Sequence, residues 1–318
     1  MSLESRLIKR EMTKFKLQPV PPFRLDLTAW VLRRVPSNKM DRWDGQTYSR
    51  VLVVDGKPVE ASLVQKGTLE APYITVTLTG PGAVIGNKPE VERILTKMLG
   101  LDIDLSGFYK LAHSDARLSA LADRFTGFKP PRFASVFEAL VNGIACQQIS
   151  LIVGITLLNR LSEAYGLAVG KHHAFPRPED LADASVKALR GLGLSERKAE
   201  NILAISSSVV EGQLDLDALE QMDNDRVVST LCSIRGVGRW TSEYVALRGL
   251  GRLDIYPADD VGSQNKFQRW LGMSKRPDYQ EVHQVIDKWS PYRGLIYFHL
   301  LLDSLEQQGL LSLPYSDN

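Results

Sequence analysis

The chain has 318 residues, 44% of them hydrophobic, enough to bury one large domain or two to three smaller ones. Its 39 Lys and Arg against 37 Asp and Glu leave a formal charge of +2, so a nucleic-acid partner has to be argued from local sites rather than bulk charge. Two cysteines, Cys146 and Cys232, lie far apart and in no metal-ligand spacing, which argues against a disulfide scaffold or a zinc module, and an iron–sulfur cluster would need about four thiolates.

The N-terminus carries Arg6, Lys9, Arg10, Lys14 and Lys16 with no apolar run of signal-peptide length after them, and reads as a basic cytoplasmic tail. No window approaches the roughly 18 to 20 apolar residues of a membrane span, so a cytoplasmic or nucleoid location is expected, nuclear in a eukaryote. From Pro22 to about Gly86 the pattern is strand-like. Val51 to Val54 precede an Asp55-Gly56 turn, and Ile74, Val76 and Leu78 alternate with threonines. After Pro89 the period lengthens: Val91, Ile94, Leu95, Met98 and Leu99 share one helix face. Ser135 and Glu138 have the spacing of a capping box at the start of a helix carrying Phe137, Leu140, Val141 and Ile144. Further helices are expected at about 151–165, 178–190, 195–210, 224–232, 239–249, 261–270, 278–288 and 292–307.

The pattern predicts a mostly α protein: a small N-terminal antiparallel α+β domain (1–88, with the basic tail), then an all-helical region (89–318). Two lobes with a cleft between them are expected, residues 131–230 forming one and 89–130 with 231–318 the other. A monomer is the expectation.

Two segments bear on chemistry. In Leu231 to Tyr244, Gly236-Val237-Gly238 makes a tight turn between helices, with Val237 as an apolar plug and free N–H groups at the next helix start suited to a phosphate. Alone, Gly-x-Gly fits a plain helical hairpin equally well. About twenty residues on, Pro257-Ala258-Asp259-Asp260 precedes another helix, placing one carboxylate as its cap and leaving the other free; both could equally be capping residues.

Taken together, hairpin, helix and aspartate resemble the helix-hairpin-helix (HhH-GPD) DNA glycosylase superfamily, closest to its 3-methyladenine glycosylase II, or AlkA-like, branch. The likeness runs through Phe137 to Ser150, Phe175 to Leu181, Gly193 to Glu200 and Trp240 to Gly249. It implies a DNA repair enzyme that flips an alkylated, cationic purine out of damaged double-stranded DNA and hydrolyses its glycosidic bond. Asp260, seven residues before Phe267, takes the position of the catalytic carboxylate, with Asp259 supporting it. Trp240 stands where lyase-competent relatives carry a Schiff-base lysine, so hydrolysis without strand cleavage is implied, Lys266 being the sequence-near amine to watch. Trp240, Tyr244 and Leu301 fall at base-pocket positions, Leu301 replacing a tryptophan of some members. Gln147, Gln148, Gly236, Val237, Gly238 and Arg239 fall at DNA-binding positions, Gln148 at that of the wedge that fills the gap left by the base. No cofactor is implied beyond a structural monovalent cation on carbonyls around Ser233 to Val237. Alternatives of other kinds are a non-catalytic helix-hairpin-helix DNA-binding protein and a glycosylase/lyase for other base lesions.

Overall fold

The computed structural model describes residues 12–311. In chain order the elements are β1 (Met12–Leu17), α1 (Leu25–Arg33), β2 (Arg42–Trp43), β3 (Thr47–Val54), β4 (Lys57–Gly67), β5 (Pro72–Thr79), α2 (Lys88–Leu99), α3 (Ser106–Ala112), α4 (Ala116–Arg124), α5 (Val136–Cys146) and α6 (Leu151–Tyr165). A two-strand hairpin, β6 (Ala168–Val169) with β7 (His172–His173), precedes α7 (Pro178–Leu181), α8 (Val186–Gly191), α9 (Glu196–Val210), α10 (Asn224–Cys232), α11 (Arg239–Arg248), α12 (Val261–Leu271), α13 (Tyr279–Ile286) and α14 (Arg293–Gln307).

Five strands form one antiparallel sheet in the order β1-β5-β4-β3-β2. Val54 pairs with Lys57 across the two-residue turn, where Asp55 and Gly56 both have positive φ (48° and 68°), a backbone twist that matches the flanking strands. On β5, Ile74, Val76 and Leu78 face the core, as their alternation predicts.

The N-terminal reading changes in two places. Lys14 and Lys16 belong to edge strand β1, whose Thr13, Phe15 and Leu17 turn inward, so this part of the expected tail is sheet; Arg6, Lys9 and Arg10 lie outside the described residues. The segment read as strand from Pro22 contains α1, in which Leu25 and every residue from Leu27 to Leu32 is buried. At nine residues the helix is too short for its period to stand out from the strand pattern that follows. The helix expected over 178–190 is two, because Ser185 caps a fresh start by accepting from the Ala188 N–H.

Three apolar clusters organise the described residues. The sheet, part of α1 and the inner face of α2 make the first, so α2 packs with the N-terminal unit rather than with the helical region. Met40 and residues between Phe133 and Ile255 make the second, and it includes Val237, Tyr244, Val245 and Ala246. The hairpin therefore packs with the 131–230 helices rather than with the other lobe. The third joins α3, α4, α12, α13 and α14 to Leu27, Trp30 and Val31 of α1, with Leu247 entering from α11. Helices α1 and α11 thus each belong to two clusters.

A buried polar cluster ties the sheet to α5. The Arg50 guanidinium donates to Asp41 (2.7 Å) and Glu138 (2.5 Å), and the Tyr48 hydroxyl donates to Asp41 (2.7 Å). Burial opposes ionisation of Asp41, but Arg50 and Tyr48 outweigh it and hold its carboxyl below the usual range. For Glu138 burial prevails and the pKa rises. This contact also explains why no capping box forms at α5. Ser135 accepts the Glu138 N–H, but the Glu138 carboxylate is taken by Arg50.

Substituting Arg50→Met strands two buried carboxylates, and should cost about 3–5 kcal/mol of stability by urea denaturation. A loss below about 1 kcal/mol would contradict the structural weight given to this cluster.

Candidate active site

The two hairpin glycines are required for different reasons. Gly236 has φ +84°, and a Cβ there would fall 1.9 Å from the Asn201 amide nitrogen. It is demanded by the chain's own packing. Gly238 is extended, and a Cβ on it would meet nothing within 4 Å. Val237 is buried as the plug, its N–H bonded to the Ile234 carbonyl (3.0 Å). Among the described residues no side chain caps α11, so its first N–H groups are left free beside an exposed Gly238, as an anion site requires.

Gln147 and Gln148 separate here. The Gln147 amide donates to the Gly236 carbonyl and to the Thr241 hydroxyl (both 3.0 Å), and Lys198 donates to the carbonyls of Ala145 (2.9 Å) and Gln147 (2.7 Å). Gln147 is thus a brace between α5 and the hairpin. Gln148 is exposed at φ +56°, a left-handed conformation rare outside glycine, and is followed by exposed Ile149, Leu151, Ile152 and Val153. This apolar run had no separate signal in the sequence, where it reads as ordinary helix.

Asp260 itself caps α12: one oxygen accepts the Ser263 N–H (2.8 Å). Its other oxygen accepts from the Trp240 indole N–H (3.3 Å) and the Tyr297 hydroxyl (3.1 Å). The partly buried carboxyl group is held from α11, α12 and α14 at once. Tyr297 was not anticipated; it lies one helical turn before Leu301, so an aromatic at the i−4 position was the available signal. Leu301 is half-buried and packs against the third apolar cluster. The Lys266 amine donates to the Gly262 carbonyl (3.3 Å); burial lowers its pKa, and Asp260 only partly opposes this.

Asp259 has no capping role. It accepts two hydrogen bonds from Arg239 (2.7 and 3.0 Å), whose guanidinium also lies 3.8 Å from the centre of the Tyr279 ring. The Tyr279 hydroxyl donates to Glu243 (2.8 Å). Burial above all pushes the Glu243 carboxyl up to about 7, with Asp259 adding to the shift and the Tyr279 hydrogen bond opposing it. Behind Trp240, Tyr244 stacks on it (centroids 5.5 Å, planes 26° apart) and is itself buried, its hydroxyl accepting from Arg34 (3.0 Å).

A sequence profile described as HhH-GPD superfamily base excision DNA repair protein matches residues 141–291, the stretch holding the hairpin, Asp259 and Asp260. This stretch belongs to the HhH-GPD superfamily. Within it, the chain is 28% identical to a putative DNA-3-methyladenine glycosylase of Bacillus subtilis, over 91% of this chain and 98% of that one. A DNA-3-methyladenine glycosylase of the same organism is 29% identical over 67% of this chain and 72% of its own length. Among solved structures, a 3-methyladenine DNA-glycosylase from Archaeoglobus fulgidus superposes with a TM-score of 0.78 at 25% identity, covering 92% of this chain and 99% of that one. These likenesses place the chain in the 3-methyladenine glycosylase branch of the superfamily. No helix among the described residues is long and apolar enough to cross a membrane.

Gly238→Ala should fold normally and bind duplex DNA about ten-fold more weakly, whereas Gly236→Ala should lose about 1–3 kcal/mol of stability from its backbone conformation alone. Equal thermal melts for the two variants would contradict the division. For Glu243, the raised pKa favours folding fully below about pH 4.5, and that contribution is lost as the pH rises through about 7. Glu243→Gln, which stays neutral, should therefore be more stable than the native chain at pH 8, by up to about 3 kcal/mol, with the gap closing towards pH 4.5. A gap that does not change with pH would contradict the shift.

Proposed function

We propose that this chain is a monofunctional DNA glycosylase that hydrolyses the N-glycosidic bond of alkylated purines flipped out of duplex DNA, with Asp260 as the catalytic carboxylate. One observation carries the reading: a carboxyl group fixed by donors from three helices lies beside a hairpin whose backbone is open to phosphate. The names of the relatives, DNA-3-methyladenine glycosylases, support the substrate class.

A base inside the duplex cannot present its sugar bond, so the nucleotide must be extruded at a cost of a few kcal/mol, less for a damaged and poorly paired base. The α11 N–H groups and Gly238 would grip a phosphate without reading sequence, and Gln148 would occupy the stack. Gln147 and Lys198 hold the loop that carries it. As the bond breaks, positive charge develops on the sugar. Asp260 stabilises that charge and takes a proton from the attacking water, while Trp240 and Tyr297 keep its carboxyl group oriented. A base alkylated on a ring nitrogen is already cationic and leaves without a general acid, and its electron-poor ring stacks well on Trp240.

Among the described residues no cluster of His, Cys, Asp or Glu is arranged for a metal. The turn from Ser233 to Val237 offers backbone oxygens, a donor set suited to a monovalent cation, and such an ion would add positive charge where the hairpin meets phosphate. Arg239 is already bound to Asp259, so its part is to couple the hairpin to the catalytic loop.

Asp260→Asn should lower base release by about 10²- to 10⁴-fold in single-turnover assays while duplex binding is retained, and Asp259→Asn should do far less. The reverse ranking would move the catalytic role to Asp259. Borohydride should trap no covalent adduct on a lesion-containing duplex, and abasic strands should stay intact until alkali is added, because indole forms no Schiff base. An adduct lost in Lys266→Ala would assign lyase chemistry to that amine.

A further inference from the structure

Beyond the stacked pair of Trp240 and Tyr244 lie two guanidinium groups, those of Arg34 and Arg248, the first of them outside the segment matched by the family profile. Arg34 terminates α1 with φ +64°, a strained conformation for a residue with a side chain. It is held there by two bonds it donates, to the Tyr244 hydroxyl (3.0 Å) and to Asn142 (2.7 Å). Arg248 is fully buried and donates to the Val31 carbonyl (3.0 Å), with its guanidinium 4.9 Å from the centre of the Phe133 ring and 6.0 Å from that of Tyr244. The two buried carboxylates nearby, Asp41 and Glu138, are both engaged by Arg50. Three guanidinium groups thus face two carboxylates in this interior.

The arrangement has a direction. Tyr244 stacks on Trp240, and Trp240 bonds to Asp260, so the stacked pair has negative charge at one end and positive charge at the other. The Tyr244 hydroxyl accepts from Arg34, and among the described residues its own proton has no acceptor.

Resting on the reading of Asp260 as a glycosylase centre, we propose that Arg34 is a specificity-determining residue that acts through Tyr244 to favour excision of uncharged damaged bases, which leave as anions. In the step concerned, the C1′–N bond breaks heterolytically and its electron pair stays with the base. The sugar cation takes up water, which gives a proton to Asp260, and the departed base is protonated by solvent. A ring-alkylated, cationic purine leaves neutral and gains nothing from a positive charge behind it. A base such as hypoxanthine leaves with negative charge that Arg34 and the Tyr244 hydroxyl stabilise.

The test uses the full chain in single-turnover excision from duplexes containing either 7-methylguanine or hypoxanthine. The native chain should release both bases. In Arg34→Met the ratio of hypoxanthine to 7-methylguanine rates should fall at least about ten-fold, and Arg34→Lys, which restores the charge, should recover most of it. Were Arg34→Met not to fold, Tyr244→Phe, which cuts the link between Arg34 and the pocket, should lower the same ratio. A smaller fall, parallel loss on both bases, or no recovery with lysine would overturn the proposal. So would a native chain that releases 7-methylguanine but not hypoxanthine, whereas release of neither would overturn the glycosylase reading itself.

Discussion

The Asp260 carboxyl group receives a donor from its own helix, one from the indole of Trp240 and one from the hydroxyl of Tyr297. Those donors come from elements separated widely in sequence, so the group can be placed only once α11, α12 and α14 are all folded. Trp240 lies two residues beyond Gly238, where the backbone is open to solvent. The same short stretch therefore fixes both the surface that would meet phosphate and the orientation of the carboxylate. Arg239 and Asp259, adjacent in sequence to these two residues, pair with each other and make the link between hairpin and loop double.

Behind this arrangement lies an interior unusually rich in charge. Arg50, Asp41 and Glu138 bind the sheet to α5, and Arg34 and Arg248 close in on Tyr244. Buried charges are costly unless paired, and are weak evidence for stability in themselves. Their positions here connect the N-terminal unit to the aromatic wall of the site. That unit is thus more than an appendage to the helical region, since α1 contributes to two of the three apolar clusters and ends in the residue that bonds to Tyr244.

Much of this was legible in the sequence where a local physical signal was strong. The Asp55-Gly56 turn, the alternation on β5 and the helices from 151 onward, apart from the break at Ser185, follow from positive-φ chemistry and hydrophobic period. The period failed for α1, which is only nine residues long, and for the basic segment of β1, whose alternation is short. At the site, the spacing of hairpin and aspartates brought Trp240 and Asp260 to notice, but not how they meet. That Arg239 engages Asp259, leaving Asp260 to cap α12, and that Gln147 turns inward to the hairpin, depend on contacts between separate elements. Arg34 was missed for the same reason, being ordinary in its own segment and informative only through its partner in space, whereas Tyr297 had a signal one helical turn before Leu301.

In the proposed reaction the Trp240 indole joins the hairpin to the Asp260 carboxyl group. Trp240→Phe removes the N–H while leaving an aromatic ring to stack, so it separates that link from simple packing. Single-turnover base release, measured beside duplex affinity, should slow by about ten-fold or more with affinity little changed, the loss expected when one charge-assisted hydrogen bond is removed. Base release at the native rate would contradict the account, because Asp260 would then need no donor from Trp240.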